Sequence, residues 1–476
     1  MDPAHLIAFR NMLGARGMIG PGPECLSYET PARYSRGRAA CVLRPASTEE
    51  VSQAVAYCVR QGLGFVPQSG NTGLTGASTP DASGDQVVLS LDRLSAPLEV
   101  SPLNRTATVG AGVRLSALNT ALEPHELFLP IDLGADPMIG GMVATNTGGA
   151  RFLRYGDMRR QVLGLEVVLA DGHGTVLDLM SHLRKDNTQL GLKHLFIGSS
   201  GAFGVVTKAL LEVQRRPAFA STALIIPRDE AAILEILLAL EERVGDHLSA
   251  FESMSGAALA HALEHQPRLR NPFPGSAIPP YAILVELSSC SDARGGRSLQ
   301  DLLVEAVGEL AADEQACVRD AMFDEGDRLW AIRHSISEGL RAVGQVIGLD
   351  LSFARADVIA FCGEMRIEVA DRFPELEVCD FGHIADGGVH FNLLARGPDV
   401  APLRIEAAKR HVIERAVRDF GGSFSGEHGL GPIVQAAYDR HASQQSRWCA
   451  GRLEAALGVR PAAMVRFADA SSGLAS

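Results

Sequence analysis

The stretch PQSGNTGLTG, residues 67–76, directly follows an apolar, strand-like run and is rich in glycine and small polar residues. A loop of this kind lets backbone amides approach an anion closely, so it predicts a cradle for a pyrophosphate. Its spacing is not that of a nucleotide hydrolase loop, and Gly110-Ala111-Gly112 lacks the third glycine of the Rossmann fingerprint because Leu115 stands there. Taken alone, residues 67–76 are equally compatible with a tight surface loop.

Two more glycine-rich segments follow, GGMVATNTGG at 140–149 and GSSGAFG at 198–204. Glycine increases the conformational entropy of the unfolded chain, so each such segment lowers stability unless it serves a purpose. Three of them in one region indicate an extended ligand that needs backbone contact along its length. A dinucleotide fits that description.

Composition limits the class of protein. The chain has 476 residues, of which 46% are hydrophobic and 21% charged, which predicts an ordinary globular protein with roughly two to four domains. A formal net charge of −12 disfavours binding to nucleic acid or to an anionic membrane surface. The eight cysteines form no C-x-x-C pair, which argues against an iron–sulfur cluster, a zinc finger or a disulfide framework and favours a reducing, cytoplasmic location.

Patterns along the chain predict neither a secretion signal nor a membrane span. Residues 1–21 contain no long apolar run, and the most apolar helical stretch, 231–240, is too short to cross a bilayer. Strands and helices interleave up to about Pro217, after which the pattern restarts. We therefore expect a helical segment at 1–38, one domain at 39–217, a second at 218–420, and a C-terminal segment at 421–476.

Three runs resemble the FAD-binding oxidoreductases of the vanillyl-alcohol oxidase superfamily, in the branch of the D-lactate, glycolate and D-2-hydroxyglutarate dehydrogenases. They are PQSGNTGLTG (67–76), GGMVATNTGGARFLRYGDMRRQVLGLEVVLADG (140–172) and KDNTQLGLKHLFIGSSGAFGVVT (185–207). The resemblance extends from about residue 42 to 431. It implies an α+β fold in which a two-part FAD-binding domain at 39–217 is joined to an α+β substrate, or cap, domain at 218–420 and a C-terminal helical segment.

The same resemblance implies which residues contact FAD. Asn71 stands where covalently flavinylated relatives carry histidine, so the implied FAD is non-covalent. The implied contacts are Pro67, Ser69, Gly70, Asn71, Thr72, Gly73, Gly76, Ala77, Pro130, Asp132, Gly140, Gly141, Thr145, Gly148, Gly149, Arg151, Tyr155, Gly156, Gly201, Gly204 and Val206.

A candidate metal site lies near the C-terminal end of the second domain. His383 and His390 bracket Asp386-Gly387, a strong hairpin dipeptide, and a two-residue loop would make the two histidines direct cross-strand neighbours. Their Cβ atoms would then lie about 4.5–5.5 Å apart, and Asn392 would share their face of the sheet. A solvent-facing pair without a ligand is the alternative.

The segment Gly426-Glu427-His428-Gly429 adds a carboxylate and a further imidazole. Two histidines and one carboxylate form a ligand set used by zinc and by non-haem iron. The family resemblance implies that His383, His390 and Glu427 bind one divalent metal ion, with zinc favoured because a flavin already supplies the redox centre. Ala385 and Gly388 depart from the family's hairpin motif.

The resemblance also implies substrate and catalytic roles. His428 would be the general base, because a metal that binds the substrate hydroxyl lowers the pKa of that hydroxyl. Arg333, in the segment Trp330-Ala331-Ile332-Arg333, would bind the substrate carboxylate, with Ser337 and Asn392 as further substrate contacts. The alternatives are a helix-capping or core histidine for His428 and a surface ion pair for Arg333.

Two lysines of the relatives are missing, with Gly348 and Val434 in their places. Arg355 could supply a replacement charge, but nothing in the sequence requires it. A dicarboxylate such as 2-hydroxyglutarate needs more positive charge than a monocarboxylate. The sequence therefore favours a longer, less polar 2-hydroxy acid as the substrate.

The expected activity is FAD- and metal-dependent oxidation of a D-2-hydroxy acid to the 2-oxo acid, with hydride transfer to the flavin. No haem motif or cysteine cluster is present, so the electrons would pass to an external acceptor: an electron-transfer flavoprotein, a quinone or oxygen. A homodimer is one expected assembly. Two alternatives stay open, a non-catalytic flavin-binding subunit of a larger dehydrogenase and a non-redox flavoenzyme of the same fold.

Overall fold

The computed structural model describes residues 1–33, 36–266, 268–273, 275, 277–291, 297–312, 316–324, 327–397, 400–459 and 464–469. Its strands are β1 (Met18–Ile19), β2 (Ala39–Leu43), β3 (Phe65–Gln68), β4 (Gln86–Ser90), β5 (Leu98–Ser101), β6 (Thr106–Gly110), β7 (Leu127–Phe128), β8 (Val162–Leu169), β9 (Val176–Asp178), β10 (Gly204–Glu212), β11 (Gln214–Arg215), β12 (Phe219–Pro227), β13 (Leu248–Ser255), β14 (Tyr281–Ser289), β15 (Val318–Asp324), β16 (Gln345–Ser352), β17 (Leu376–Gly382) and β18 (Gly388–Ala395).

The helices alternate with these strands along much of the chain. They are α1 (Pro3–Leu13), α2 (Leu26–Glu29), α3 (Thr48–Gln61), α4 (Leu115–Leu122), α5 (Ile139–Thr145), α6 (Phe152–Tyr155), α7 (Met158–Gln161), α8 (Ala232–Val244), α9 (Gly256–His265), α10 (Leu299–Ala311), α11 (Arg328–Val343), α12 (Val358–Arg372), α13 (Pro402–Arg418), α14 (Pro432–His441) and α15 (Gln444–Leu457). Within the described ranges, no helix is long and apolar enough to cross a membrane.

The chain divides into two compact units. The first unit comprises the described residues of 1–148, 156–215 and 427–476, and the second comprises those of 149–155 and 216–426. This division differs from the four predicted segments, although the change at residues 215/216 lies close to the predicted boundary at Pro217. The N-terminal helix joins the first unit because Phe9 and Leu13 are buried in the same core as strand β2.

The first unit contains two main sheets. In the order β1-β2-β4-β3, strands β2, β3 and β4 run parallel and β1 is antiparallel to β2. The second sheet, in the order β5-β6-β10-β8-β9, is antiparallel throughout. Helix α3 begins where the Ser47 side chain accepts a hydrogen bond from the backbone N–H of Glu50. Apolar side chains from both sheets and from α3 form one core.

Several glycines of the first unit allow main-chain segments to pack closely. Gly140 donates its backbone N–H to the Ala111 carbonyl at 2.8 Å, and a Cβ on Gly140 would lie 2.7 Å from the Cβ of Ala111. A Cβ on Gly112 would lie 2.1 Å from the Leu91 carbonyl oxygen. The Gly110-Ala111-Gly112 sequence is therefore explained by packing within the unit, since no larger residue fits at position 112.

The second unit is built on one antiparallel sheet of seven strands, in the order β15-β12-β14-β13-β17-β18-β16. Helices α9 and α11 cover one face, where they share a core with Leu284 and Phe381. Helix α12 covers the opposite face, where Phe361 packs against Phe391 of β18. Because neighbouring residues of a strand point to opposite faces, Phe381 and Asp380 lie on different sides of the sheet.

Candidate active site

The predicted register of the histidine hairpin is wrong. Strand β17 pairs with β18 so that Phe381, not His383, lies opposite His390. The connection is longer than two residues because Ile384–Asp386 form a 3-10 turn whose first two residues are buried, and Gly387 then takes a φ of +88°. The two imidazole rings nevertheless meet, with centroids 5.3 Å apart.

The face that carries His390 also carries residues of edge strand β16. Asp350 pairs with His390 and Gly348 pairs with Asn392, so all four share one face of the sheet. The Oδ1 atom of Asp350 lies 3.9 Å from Nδ1 of His390. Asn392 is buried and donates its side-chain amide to the carbonyls of Cys379 and His390. Its predicted contact with substrate stays a prediction.

Glu252 of strand β13 is a central residue of this site that the sequence analysis missed. Its side chain is 1% exposed, and its two oxygens accept separate hydrogen bonds, from Nδ1 of His383 at 2.5 Å and from Nε of Arg333 at 2.7 Å. Burial alone raises the pKa of the Glu252 carboxyl, but the charges of Arg333 and His383 outweigh this effect and lower the pKa to about 2. Glu252 is therefore an ionised carboxylate that accepts from an imidazole on one side and from a guanidinium on the other.

Arg333 lies on helix α11 with its guanidinium over the ring of Phe381, 4.6 Å from the ring centroid. The same phenyl ring is 5.2 Å from the ring of His390. Ser337 is one helical turn further along α11 and so shares the face of Arg333. Arg333 thus lies beside the two histidines, and the helical spacing places Ser337 on the same side of α11 as Arg333.

A second buried carboxylate, Glu286 of β14, holds the residues around Trp330. It accepts hydrogen bonds from the indole of Trp330 at 2.9 Å and from the guanidinium of Arg151 at 3.0 Å. Three of the residues implied as FAD contacts, Gly149, Arg151 and Tyr155, belong to the second unit. Burial raises the pKa of the Glu286 carboxyl, but the charge of Arg151 and the hydrogen bonds that Glu286 accepts outweigh this effect, so the pKa is lowered overall. Glu286 and Arg151 therefore form an ion pair within the second unit.

The other implied FAD contacts lie in the first unit. Pro67 lies in β3 and residues 69–77 form the loop after it. Pro130 and Asp132 follow β7, and the remaining residues lie in or near α5, α7 and β10. The loop packs against α5: a Cβ on Gly141 would lie 3.2 Å from the Cβ of Ser69. Such closely packed main chain with few side chains fits a dinucleotide pyrophosphate, which binds through backbone amides.

Two of these residues have evident roles in the fold. The Asn71 amide donates to the Thr30 carbonyl at 3.0 Å and accepts from the Ser78 hydroxyl at 3.0 Å, so this side chain fastens the loop. Gly204 lies in β10, where a Cβ would come 2.7 Å from the Val168 carbonyl oxygen. Close strand packing is sufficient to explain glycine at position 204.

Glu427 and His428 begin the last segment of the first unit. The Nε2 atom of His428 lies 3.7 Å from a carboxylate oxygen of Glu427. Gly429, the next residue, packs against two of the glycine-rich segments: its Cβ would lie 3.5 Å from the Ser200 hydroxyl and 3.6 Å from the Cβ of Thr145. His428 precedes the cap of helix α14 at Gly431, so the helix-capping alternative does not apply.

The donors of the second unit fit a divalent metal ion. Two imidazoles lie close together beside the carboxylate of Asp350, and nitrogen and oxygen donors of this kind suit zinc. Because Glu252 engages Nδ1 of His383, that imidazole would bind a metal through Nε2, in the carboxylate–histidine–metal arrangement common in such sites. Glu427 as a further ligand remains an expectation from the sequence.

Comparison with known protein families extends these observations. A model described as an FAD binding domain matches residues 39–191, and one described as the C-terminal domain of FAD linked oxidases matches residues 216–446. The D-2-hydroxyglutarate dehydrogenase of Rattus norvegicus, named as mitochondrial, is 34% identical over 435 residues, which are 90% of this chain and 77% of that protein. The D-2-hydroxyglutarate dehydrogenase of Xanthomonas citri pv. viticola is 33% identical over 402 residues, 83% of this chain and 81% of that protein.

Solved structures share the fold at low sequence identity. A p-cresol methylhydroxylase with substrate bound has a TM-score of 0.72 at 15% identity, covering 96% of this chain and 94% of that one. A 4-ethylphenol oxidase from Gulosibacter chungangensis has a TM-score of 0.69 at 18% identity with the same coverage. The predicted α+β fold of the vanillyl-alcohol oxidase type is therefore confirmed, and the chain belongs to the family of FAD-linked D-2-hydroxy-acid dehydrogenases that includes the D-2-hydroxyglutarate dehydrogenases.

Proposed function

We propose that this chain oxidises a D-2-hydroxy acid to the 2-oxo acid by hydride transfer to non-covalently bound FAD, with the help of one divalent metal ion, zinc in the first instance. The observation that carries the proposal is the position of His428. This imidazole adjoins Gly429, which packs against Thr145 and Ser200 of the glycine-rich segments. A proton acceptor is thereby held beside the main chain that we expect to bind the flavin.

Each side chain of the candidate site has a separate role in the proposed reaction. Arg333, held at Nε by Glu252, binds the substrate carboxylate through its guanidinium. His383, His390 and Glu427 are the proposed metal ligands, and an imidazole nitrogen of His428 accepts the proton of the substrate hydroxyl. When bound, a metal ion would supply a Lewis acid for the hydroxyl oxygen, and FAD would supply an acceptor for the hydride of Cα. The two electrons then leave for an external acceptor, which we propose to be an electron-transfer flavoprotein, a quinone or oxygen.

The structure supports a substrate with an apolar side chain. Gly348 faces the same side of the sheet as His390 and Asn392 but contributes no side chain there. Arg355, the candidate replacement for the missing lysine, instead pairs with Glu241 at 2.8 Å. We therefore propose a longer, less polar 2-hydroxy acid as the preferred substrate, although the named relatives act on D-2-hydroxyglutarate.

Anaerobic flavin bleaching against a panel of D- and L-2-hydroxy acids tests the reaction. We expect the D-acids with longer apolar side chains to reduce the flavin fastest, and metal analysis to find one ion per chain. Acid precipitation should release intact FAD. A flavin that no 2-hydroxy acid reduces, or a protein active without any metal, would contradict the proposal.

A further inference from the structure

Glu252 is unusual in its surroundings. On its face of strand β13 the neighbouring side chains are those of Ala250 and Met254, which belong to the apolar core beneath helices α9 and α11. A carboxylate placed there must be desolvated, and an apolar residue would serve the stability of the core at least as well. Its presence therefore calls for a role besides stability.

The partners of Glu252 indicate that role. One oxygen accepts from His383, the proposed metal ligand, and the other accepts from Arg333, the proposed group for the substrate carboxylate. His383 follows strand β17 and Arg333 lies on helix α11, more than one element apart in the chain. The two side chains meet through one carboxylate.

We propose that Glu252 is a positioning residue that fixes the metal-binding imidazole and the substrate-binding guanidinium relative to each other. This inference rests on the proposed function and adds a residue to it. With Glu252 in place, His383 carries its proton on Nδ1 and presents Nε2 for a metal. Arg333 is held at Nε, so its two Nη groups form a fork with a defined direction.

Glutamine is the substitution that separates these roles, since it keeps the shape of the side chain and loses one acceptor. In Glu252→Gln the amide NH₂ must face either Arg333 or His383. Facing Arg333, it meets another donor and releases the guanidinium. Facing His383, it requires Nδ1 to accept, which moves the imidazole proton to Nε2, the atom that would bind the metal.

The test uses FAD-loaded protein and two binding measurements that do not depend on turnover. Metal retention is measured by elemental analysis after dialysis against graded chelator, and carboxylate affinity by calorimetric titration of oxalate into metal-stripped protein. Arg333→Gln should weaken oxalate binding and keep the metal. His383→Ala should lose the metal and keep the oxalate affinity of stripped protein.

Glu252→Leu, which removes both acceptors, should affect both measurements, whereas Glu252→Gln should affect mainly the one that depends on the side chain facing the amide NH₂. For Glu252→Leu we expect metal affinity to fall about 10- to 100-fold, as for other residues that orient a ligand, and oxalate affinity to fall roughly tenfold. If Glu252→Leu alters only one measurement or neither while wild type binds both ligands, the inference is overturned. If wild type itself binds neither ligand, the proposed function fails instead.

A matched control addresses loss of folding. Asp380 is a buried carboxylate on neighbouring strand β17, paired with Arg366, but it lies on the opposite face of the sheet. Asp380→Asn should change neither measurement, and a change in both would reduce the role of Glu252 to general stability. Should Glu252→Leu unfold because Arg333 is left without its carboxylate, the double variant Glu252→Leu/Arg333→Gln removes that charge. Its metal retention must then still fall below that of Arg333→Gln alone.

Discussion

The two units build their candidate sites from different parts of the chain. In the first unit the site is mostly main chain, where glycines allow the loop at 69–77 to lie against helix α5. In the second unit the site consists mostly of side chains: Glu252, Arg333 and His390 come from three elements, and His383 comes from the connection after β17. An added Cβ should therefore be most damaging in the first unit, and a lost charge or hydrogen bond in the second.

His390→Ala is expected to have the largest effect, because it removes a proposed ligand from the side-chain site. We expect loss of the metal ion and of flavin reduction, with FAD retained by the first unit. Metal and flavin contents of the purified protein are the measurements. His411→Ala is the matched control: like His390, His411 is 17% exposed and lies beside a carboxylate, but it is on helix α13. Equal metal contents in both variants would contradict the ligand assignment.

His428→Ala tests a side chain of the first unit, whose candidate site is otherwise mostly main chain. Loss of a general base typically slows the chemical step by about 10²- to 10⁴-fold. We expect that decrease in the anaerobic rate of flavin reduction, with the metal and FAD contents unchanged. A rate within a few fold of wild type would assign the base to another residue.

Gly348→Lys tests whether a positive charge added to the candidate site of the second unit changes substrate specificity. A charge-assisted hydrogen bond contributes about 1.5–3 kcal/mol, or roughly one to two decades in affinity. A substrate side chain that buries two or three methylenes, at about 0.8 kcal/mol each, gains a similar binding free energy without that charge. The variant should therefore favour 2-hydroxyglutarate over bulky apolar acids, with wild type showing the reverse order in rates of flavin reduction. An unchanged ranking would show that position 348 does not control specificity.

Gly140→Ala is the corresponding test of the main-chain site, and its expected effect is the smallest. The new methyl would come 2.7 Å from the Cβ of Ala111, and overpacking of this kind costs about 1–3 kcal/mol. We expect a lower Tm and weaker FAD retention. Gly134→Ala serves as the control because a Cβ there meets nothing within 4 Å. If both variants unfold at the wild-type temperature, close packing at Gly140 is not required.

Much of the α+β pattern was predictable because local residue preferences and long-range packing agree. The apolar patterns at 86–91 and 106–109 predict strands, which are β4 and β6 in the structure, and the capping sequence Ser47-Thr48-Glu49-Glu50 predicts the helix observed as α3. Strand β13 was missed because all eight of its residues are buried, so polar and apolar residues do not alternate along it. Glu252 was hidden for the same reason.

The sequence by itself determined the flavin-binding family, the glycine-rich segments and the identities of the candidate imidazoles, because those features are short motifs that a linear pattern can carry. Only the tertiary structure decided the pairing of His390 with Phe381, since two buried residues of a 3-10 turn lengthen the hairpin. It also brought together Glu252, Arg333 and His383, which are far apart in the chain. The role of a buried carboxylate depends on the side chains that surround it, and those neighbours follow from strand order and helix packing rather than from any local motif.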